Sequence, residues 1–387
     1  MNFELTEEQK EIRKAAHEFA EKEFDRELAL KCDREEIFPW EIIRKAAKLG
    51  FIGVHYPEEC GGQGYGLLEA TLVVEELCRV EYTLGAVIAT SDFGCDMINL
   101  FGSEEQKKKY LPKVTSGESV SAAALTEPNH GSDITFVETT AKKEGNWWII
   151  NGTKTFITNG TIADFIIVLC QTNPNATPTY RGQSVFIVEP KGLEGFEALK
   201  IEGKMGSRLA PTAELSFNDV RIPLGALLGE EGRGFYQTLA MLNRTRILKS
   251  AARALGLAQC AIERAIKYAK ERVVFGRKVA DFQAIQHKIA DVIVKIEAAK
   301  LLTYRAAYAV DTGKDERTLG FLSSIAKYYA SHAALEAVNE ALQIFGGYGY
   351  IAEYDVERYY REARILTITE GTSEIQKNLI ARTVLEI

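Results

Sequence analysis

The sequence of 387 residues has few of the features that mark several broad classes of protein. It has no basic excess, because 47 Lys and Arg stand against 54 Asp and Glu and leave a net charge of −7. This balance argues against nucleic acid as the main partner, since binding a phosphate backbone needs clustered cations. The six cysteines include no CxxC pair, and the five histidines are scattered, so neither a disulfide framework nor a metal site is predicted. Isolated thiols fit a reducing compartment, and we expect the cytoplasm.

Long apolar runs are also missing from the sequence. No run approaches the roughly 18 apolar residues that a membrane-spanning helix needs. The N-terminus carries Glu4, Glu7 and Glu8 and has no apolar h-region, so neither a signal peptide nor a transit peptide is predicted. The composition, with 46% hydrophobic and 26% charged residues, is that of an ordinary globular protein and excludes intrinsic disorder.

Hydrophobic periodicity divides the chain into three parts. The first part is helical from Thr6 to about Ser116, and it opens with the capping box Thr6-Glu-Glu-Gln9. Two further helices are predicted, one that begins at Pro39 and ends near Gly50 and one over Leu67–Val80. Four short β-rich runs follow, at Trp147–Ile150, Asp164–Cys170, Ser184–Val188 and Glu214–Phe217. The chain then returns to long helical stretches at Phe235–Arg272, Asp281–Thr312 and Arg317–Phe345.

This order predicts an α+β protein with a helical domain over 1–120, a β domain over 121–229 and a helical bundle over 230–387. Strands and helices do not alternate, which argues against a doubly wound nucleotide-binding fold. The glycine-rich segment Gly61-Gly-Gln-Gly-Tyr-Gly66 looks like a dinucleotide loop, but it follows Pro57-Glu-Glu-Cys60 rather than a strand. We interpret it as a turn between two helices.

Four segments carry the residues that point to chemistry. They are Ala124-Leu-Thr-Glu-Pro-Asn-His-Gly-Ser-Asp133, Trp148-Ile-Ile-Asn-Gly-Thr-Lys-Thr-Phe-Ile-Thr-Asn-Gly160, Gln343-Ile-Phe-Gly-Gly-Tyr-Gly-Tyr350 and Ile368-Thr-Glu-Gly-Thr-Ser-Glu-Ile-Gln376. Taken together and in this order, they resemble the flavin-dependent acyl-CoA dehydrogenase family, and the likeness covers essentially the whole chain. The resemblance implies an N-terminal all-α domain, a middle β-barrel or β-sandwich-like domain and a C-terminal four-helix bundle around one FAD.

The resemblance also implies which residues bind FAD. Those matched to the isoalloxazine ring, its N5 edge and the phosphates are Leu125, Thr126, Ser132, Phe156 and Thr158. Those matched to the FAD of a neighbouring subunit are Arg272, Phe275, Gln283, Gln343 and Gly347, and Thr372 matches a further cofactor contact. Hydroxyls and amides suit the flavin edge, arginine suits the pyrophosphate, and glycine permits close approach. The same resemblance implies a homotetramer with FAD sites at subunit contacts.

Glu370 is the predicted catalytic base. Dehydrogenation of a thioester needs a base that removes the Cα proton while flavin N5 accepts hydride from Cβ, and a desolvated carboxylate suits that task. Some relatives place the base on the helix that here carries Arg244-Thr-Arg246, where this sequence has Thr245. Arg246 matches a residue near the substrate, although a structural ion pair is an equal alternative. Ser132, Gly371 and Thr369, which replaces the family's usual Tyr, are also expected at the substrate site.

Asp92 and Asp96 depart from the family pattern on the segment that usually lines the acyl pocket. They lie four residues apart, hence on one helical face, in an otherwise apolar stretch. Because a buried carboxylate is costly unless it is used or paired, Asp92 is either a second base or the partner of an Arg or Lys elsewhere. As a second base it would support 1,4-dehydrogenation of a cyclohexene-carboxyl-CoA substrate. Glutaryl-CoA is disfavoured, because the segment Glu81–Asp96 holds no cation for a distal carboxylate, and long acyl chains would meet the two acids.

The sequence leaves several functions open. The leading hypothesis is an FAD-dependent dehydrogenase of a short-chain acyl-CoA, such as butyryl-CoA, or of a cyclic acyl-CoA, which passes electrons to an electron-transfer flavoprotein. A flavin oxidase or monooxygenase on the same fold is a second hypothesis, and a non-catalytic relative is a third. The direction of the reaction, dehydrogenation or enoyl-CoA reduction, stays open as well.

Overall fold

The N-terminal part of the chain is a set of seven helices. The computed structural model describes residues 4–386. In chain order the helices are α1 (Glu7–Glu23), α2 (Arg26–Glu35), α3 (Trp40–Lys48), α4 (Leu67–Val80), α5 (Tyr82–Ala89), α6 (Cys95–Phe101) and α7 (Glu104–Thr115). Thr6 caps α1 through the predicted capping box, and Pro39 is the N-cap of α3, which ends at Lys48 just before Gly50. The first, second and third predicted helices are therefore confirmed as α1, α3 and α4.

The middle part is a β sheet built from eight strands. They are β1 (Ser121–Ala124), β2 (Thr140–Glu144), β3 (Trp147–Thr158), β4 (Phe165–Gln171), β5 (Gln183–Val188), β6 (Phe196–Ile201), β7 (Thr212–Pro223) and β8 (Leu227–Leu228). The strand order is β6-β7-β3-β2-β4-β5-β8, and β1 pairs with β4 in parallel. Alternate residues of these strands form their own apolar core, which includes Trp148 and Phe186 with ring centroids 5.0 Å apart.

Three of the predicted β-rich runs lie within β3, β5 and β7, and the fourth, Asp164–Cys170, begins one residue before β4, so all four strands are confirmed. The sequence missed β1, β2 and β6. Strand β2 reads Thr-Ala-Lys-Lys-Glu and its last three side chains are exposed, so it lacks the apolar alternation that identifies a strand. In β6 three of the six residues are exposed, and its pairing with β7 supplies what its own sequence pattern does not.

The C-terminal part is helical again. Its helices are α8 (Gly234–Thr245), α9 (Arg253–Glu271), α10 (Gln283–Asp311), α11 (Glu316–Phe345), α12 (Val356–Ile365) and α13 (Ser373–Leu385), with a short hairpin of β9 (Val273–Val274) and β10 (Arg277–Lys278) after α9. The three predicted helical stretches correspond to α8 with α9, to α10 and to α11. Between α8 and α9 the chain does not continue as an α-helix, because Arg246–Ala252 form a π-helix. Such segments are rare and are frequently found at functional sites.

The predicted order of helical, β and helical parts is thus confirmed. The glycine-rich segment before α4 is a turn between helices, as expected. The first backbone N–H groups of α4 are occupied by carboxylates, since Leu67 and Leu68 donate to Asp311 at 2.6 and 3.0 Å and Gly66 donates to Glu69 at 3.0 Å. These three N–H groups are therefore not available to a phosphate. Among residues 4–386, none of the helices combines the length and the apolar character that crossing a bilayer requires.

Buried ion pairs join the first helical part to the second. Arg358 on α12 is completely inaccessible and donates to Glu81 at the start of α5 at 2.9 Å, and its guanidinium lies 3.1 Å from Asp355. Arg26 of α2 contacts the other oxygen of Asp355 at 2.6 Å from a half-exposed position. Because α5 leads into the Asp92 segment and α12 leads into the Glu370 segment, this network fixes the two segments relative to each other.

We predict that Arg358→Met lowers the free energy of unfolding by about 3–5 kcal/mol, because it leaves the Glu81 carboxylate buried without its cation. Arg26→Met removes a half-exposed partner of the same cluster and should cost less than about 1 kcal/mol. Urea unfolding followed by circular dichroism compares the two variants. Equal losses in the free energy of unfolding would contradict the conclusion that Arg358 is the main partner of the buried carboxylates.

Candidate active site

Glu370 lies in a strained turn between α12 and α13. Its φ is 55°, and the next residue, Gly371, has a φ of 92°. A left-handed conformation is uncommon for a residue with a side chain, and it persists only where the surroundings hold it. The turn therefore requires specific support from the rest of the fold.

Three side chains supply that support by donating to two successive backbone carbonyls. Arg246 Nε donates to the carbonyl of Glu370 at 3.1 Å, and Gln376 Nε2 donates to the same oxygen at 3.2 Å. Lys327 Nζ and Gln376 Nε2 donate to the carbonyl of Gly371, each at 2.8 Å. We call this arrangement the turn clamp, formed by Arg246, Lys327 and Gln376. It holds the backbone so that the side chain of Glu370 is left free.

Among residues 4–386, no group hydrogen-bonds to the carboxylate of Glu370, and both of its oxygens are inaccessible to solvent. Burial raises the pKa of Glu370 above its ordinary value, and the cations Lys249, Arg253, Arg246 and Lys327 act in the opposite direction. A desolvated carboxylate with a raised pKa, surrounded by fixed positive charge, is suited to accept a proton from carbon near neutral pH.

The π-helix and the start of α9 position most of these cations. Arg246, Lys249 and Arg253 all lie on this one continuous stretch, and all three are buried. Among residues 4–386, Arg246 has no carboxylate within ion-pairing distance, and burial lowers its pKa to about 10. The structural ion pair considered for Arg246 is therefore not what the molecule forms.

Thr245 precedes the π-helix and is also buried, with its hydroxyl unpartnered. This is the position at which a base would lie in some relatives, and here it offers no carboxylate. Glu370 is thus the candidate that the geometry retains.

Asp92 has a polar environment, not the apolar one expected from its sequence neighbours. One carboxylate oxygen is in contact with the ammonium of Lys249, and the other accepts from the hydroxyl of Tyr56 at 2.7 Å. Asp96 accepts from or shares a proton with Nε2 of His55 at 2.6 Å, and its other oxygen lies 4.0 Å from Lys249 Nζ. The pairing with a lysine elsewhere in the chain, one of the two alternatives for Asp92, is what the structure contains.

The prediction that Asp92 and Asp96 share one helical face is wrong. Helix α5 ends at Ala89 and α6 begins only at Cys95, because Gly94 adopts a φ of 95° and interrupts the helix. Asp92 lies in the intervening turn, where its backbone forms an isolated bridge with Ser121. Both acids nevertheless lie near the ammonium of Lys249. A cavity of about 30 Å³ is lined by Asp92, Lys249 and His55.

Sequence reasoning missed Lys249, His55, Tyr56, Lys327 and Gln376. A signal existed for Lys249, because Arg246, Lys249 and Arg253 are cations at helical spacing inside an Ala- and Leu-rich stretch. Their burial could have been inferred from that contrast, but their partners could not.

On the β side, the residues predicted at the flavin ring lie on the loop after β1 and on the second half of β3. Thr155 donates its backbone N–H to the carbonyl of Thr126 at 2.9 Å, which joins the two segments next to Phe156. Phe156 is 67% exposed and has a φ of 58°, at the register irregularity in the pairing of β3 with β7. An aromatic ring held outward in a strained conformation is consistent with an aromatic ligand stacked on it. Ser132 is exposed on the same loop.

A second group lies apart from the first, at the end of α9 and the end of α11. Arg272 and Gly347 line an open cavity of about 520 Å³, and Gln343 precedes it on α11. Phe275 in the β9–β10 turn is 95% exposed with a φ of 50°. Gln283 begins α10 and is exposed. Exposed residues of this kind fit contacts made outside the chain's own core, as expected for a site shared with a neighbouring subunit.

Of the residues predicted for the substrate, Thr369 and Gly371 adjoin Glu370 in the chain and Arg246 donates to its carbonyl, while Thr372, predicted for the cofactor, follows on the same segment. Gly371 belongs to the clamped turn, Thr369 precedes it in a partly buried position, and Thr372 caps α13 by accepting from Ile375 N at 3.4 Å. The residue after β3, Asn159, joins β1 to the segment that carries Asp92, since it donates to the carbonyls of Thr90 and Ser121 at 2.9 and 3.1 Å.

Comparison with known proteins identifies the class to which this three-part fold belongs. The family models of the acyl-CoA dehydrogenase N-terminal, middle and C-terminal domains match residues 6–118, 122–220 and 232–385. The chain therefore belongs to the acyl-CoA dehydrogenase family of oxidoreductases, and its cofactor is FAD.

Individual relatives match over their full length. A "3-(aryl)acrylate reductase" of Clostridium sporogenes (strain ATCC 15579) is 43% identical over 99% of this chain and 100% of its own. An "acryloyl-CoA reductase (NADH)" of Anaerotignum propionicum is 42% identical over 100% of this chain and 96% of its own.

Solved structures agree with this membership. Butyryl-CoA dehydrogenase of Megasphaera elsdenii superposes with a TM-score of 0.92 at 38% identity, over 100% of both chains. A structure described as "Electron transferring flavoprotein of Acidaminococcus fermentans: Towards a mechanism of flavin-based electron bifurcation" has a TM-score of 0.94 at 42% identity, over 100% of both chains.

The environment of Glu370 predicts an unusual dependence of stability on pH. Because its pKa is raised in the folded protein, its contribution to stability is present below the unfolded value of 4.5 and is lost as the pH rises through the folded pKa. Glu370→Gln removes this loss, so the variant should be more stable than the wild type at neutral pH by about 1–2 kcal/mol.

Thermal melting at a series of pH values checks this prediction. Glu374→Gln is the matched control, because Glu374 is an exposed carboxylate of the same segment whose pKa is lowered mainly by a backbone hydrogen bond. That variant should show no gain at neutral pH. A Glu370→Gln protein that melts below the wild type at neutral pH would contradict the argument.

Proposed function

We propose that this chain catalyses the α,β-dehydrogenation of a short-chain acyl-CoA thioester, with Glu370 as the base that removes the Cα proton. The observation that carries the proposal is the unpartnered, desolvated carboxylate of Glu370 on a clamped turn. When bound, FAD supplies the acceptor for the hydride that leaves Cβ. The chain's own residues hold the base and exclude water from it, and the buried cations favour the negative charge that develops on the thioester after proton removal.

The exposed, strained Phe156 and the adjoining loop supply the best fit for the flavin ring. Leu125, Thr126, Ser132, Phe156 and Thr158 would hold the ring and phosphates, and Thr372 would approach from α13. Arg272, Phe275, Gln283, Gln343 and Gly347 would reach the FAD of a neighbouring subunit. This division supports a homotetramer, as does a row of exposed apolar residues on α10, namely Ile293, Val294, Leu301 and Tyr308.

An electron-transfer flavoprotein is the proposed redox partner. The description of the Acidaminococcus fermentans structure supports this choice, as does a 41% identical relative named "Caffeyl-CoA reductase-Etf complex subunit CarC". Relatives named as reductases suggest that the reaction could run toward the saturated acyl-CoA in the cell. We propose the cytoplasm as its location, a choice supported by six cysteines that are all buried and unpaired.

A short acyl group is favoured because buried charge stands close to the base. Lys249 is the leading cation acting on Glu370, and it is held by Asp92 with Asp96 nearby. A long apolar tail would have to displace or desolvate this cluster. A distal carboxylate would meet two acids and one lysine, so a glutaryl group stays disfavoured although the lysine was not foreseen.

The contacts of Asp92 argue against a 1,4-dehydrogenation in which Asp92 is the base. Both oxygens of Asp92 are engaged, one by an ammonium and one by a hydroxyl. These two contacts leave neither oxygen of Asp92 free to approach a carbon-bound proton of the substrate. We therefore assign Asp92 the role of compensating the buried charge of Lys249.

Anaerobic bleaching of the flavin by a panel of thioesters tests the proposed function. We expect butyryl-CoA to bleach the purified yellow protein, while isobutyryl-CoA, cyclohexanecarboxyl-CoA and cyclohex-1-ene-carboxyl-CoA bleach it more slowly. Bleaching by the cyclic esters alone would contradict the short-chain assignment, and bleaching by none would exclude the activity. Aerobic and anaerobic turnover with an artificial acceptor separates a dehydrogenase from an oxidase.

A double-mutant cycle separates the two roles of Asp92. We predict that Asp92→Asn costs about 3–5 kcal/mol, because it leaves the Lys249 ammonium buried without its carboxylate. Adding Lys249→Met should recover most of that loss of stability, because no unpaired charge is then left buried. If Asp92 were a base for cyclic substrates, the double variant would recover stability yet lose bleaching by cyclohex-1-ene-carboxyl-CoA selectively, and that result would overturn our assignment.

A further inference from the structure

Lys327 is a completely buried lysine with no assigned role in the reaction. It lies in the middle of α11, and its relative exposure is 0%. Its hydrogen bond goes to the carbonyl of Gly371 at 2.8 Å, and no carboxylate of residues 4–386 lies within ion-pairing distance. This contrasts with Lys249, which is equally buried but is paired with Asp92.

A lysine without an anionic partner is costly to bury. Transferring an ammonium from water to the interior disfavours the charged form, and burial lowers the pKa of Lys327 to about 8. Apolar side chains of similar length, such as methionine, would pack in a helix at this position without that cost. The charge and the donor group are therefore features that need an explanation beyond packing.

The position of the hydrogen bond that Lys327 donates explains why a charged donor is present here. The carbonyl of Gly371 follows directly after Glu370, in the turn where both residues are left-handed. Gln376 donates to the same oxygen and to that of Glu370, whereas Arg246 reaches only the latter. Lys327 is the member of the turn clamp that adds both a donor to Gly371 and a full positive charge near the carboxylate.

We propose that Lys327 is a positioning residue for the base: its ammonium fixes the Glu370–Gly371 turn so that the carboxylate projects without a partner, and its charge favours the ionised form of that carboxylate. The proposal rests on the proposed function of Glu370. It predicts two separable effects, one geometric and one electrostatic.

The charged groups that face Lys327 limit how large the electrostatic effect can be. Glu370 and Glu374 favour the ammonium, and Arg246 opposes it. His332 lies one turn along α11, donates to or accepts from Ser373 at 3.0 Å, and has its pKa lowered mainly by burial. Glu370 itself also faces Lys249 and Arg253, so removing Lys327 leaves three cations in place.

Two variants separate the effects. Lys327→Gln keeps a donor for Gly371 and removes the charge, whereas Gln376→Leu keeps the charge and removes donors. We expect Lys327→Gln to move the acidic limb of anaerobic flavin reduction by butyryl-CoA upward by about one pH unit, with the plateau rate largely retained. Gln376→Leu should lower the plateau by about tenfold to a hundredfold with the limb unmoved. Lys327→Met should show both effects with little change in KM.

The protonation of Glu370 can also be measured directly, without substrate. Infrared difference titration of the holoenzyme against its Glu370→Gln counterpart follows protonation of this one carboxyl group. The midpoint should rise in Lys327→Gln and stay unchanged in Gln376→Leu. Should Lys327→Met fail to fold, the other two variants still decide the question.

Lys204→Met is the matched control. Lys204 is another largely buried lysine whose pKa is lowered to about 8 by burial, and it donates to the carbonyls of Ser207 and Ala210 at 2.7 and 2.6 Å. It clamps a loop of the β domain, so its loss should reduce the melting temperature without moving the titration of Glu370.

The proposal is overturned if Lys327→Gln and Lys327→Met reduce the melting temperature as Lys204→Met does but leave both the acidic limb and the infrared midpoint at their wild-type positions. Failure of the proposed function looks different. In that case no thioester reduces the flavin of the wild type, while the infrared midpoint of Glu370 still rises in Lys327→Gln.

Discussion

The structure around the candidate site depends on one constraint, which is that a carboxylate is held out of water without a partner. Leaving Glu370 in this state needs a strained turn, because a relaxed loop would let the side chain find a donor or solvent. It also needs cations that are close enough to limit the rise of its pKa but that do not pair with it directly. Arg246 and Lys327 meet this requirement by donating to backbone carbonyls of the turn, so that their charges stand near the carboxylate while their hydrogen bonds go elsewhere.

Some of the buried charges around this carboxylate are paired, whereas Arg246 and Lys327 donate only to uncharged oxygens. Lys249 is compensated by Asp92, and Asp96 is engaged by His55. The π-helix Arg246–Ala252 carries both Arg246 and Lys249. Farther away, the ion pair of Arg358 with Glu81 ties the segment that carries Asp92 to the segment that carries Glu370. The stability of the interior and the electrostatic environment of Glu370 thus depend on the same few residues.

Much of the fold could be predicted from the sequence. Helices such as α1, α4 and α11 have strong periodicity and identifiable caps, and the glycine-rich turn could be rejected as a nucleotide loop because no strand precedes it. Strands β2 and β6 could not be found, since their pairing partners and not their own apolar pattern stabilise them. The break between α5 and α6 was missed because the left-handed conformation of Gly94 is decided by the packing around it.

In the candidate site, too, some residues could be predicted from the sequence and others depend on tertiary contacts. Glu370 could be singled out because its neighbours in sequence form a recognisable motif. The partner of Asp92 could not, since Lys249 lies 157 residues away in the chain and only the tertiary fold brings them into contact. Lys327 and Gln376 act on backbone carbonyls, and a contact of that kind leaves no pattern in side-chain chemistry. The sequence was therefore enough to single out Glu370 as the candidate base, and the three-dimensional structure was needed to find the residues that hold its turn.

The most direct test of this account is proton removal itself, measured as loss of deuterium from Cα-deuterated butyryl-CoA in ordinary water under anaerobic conditions. The account predicts that the wild type releases the label while it reduces its flavin. Glu370→Gln should retain FAD and thermal stability but release the label at least about a hundredfold more slowly. Release at the wild-type rate by a folded, FAD-containing Glu370→Gln protein would contradict the assignment of Glu370 as the base.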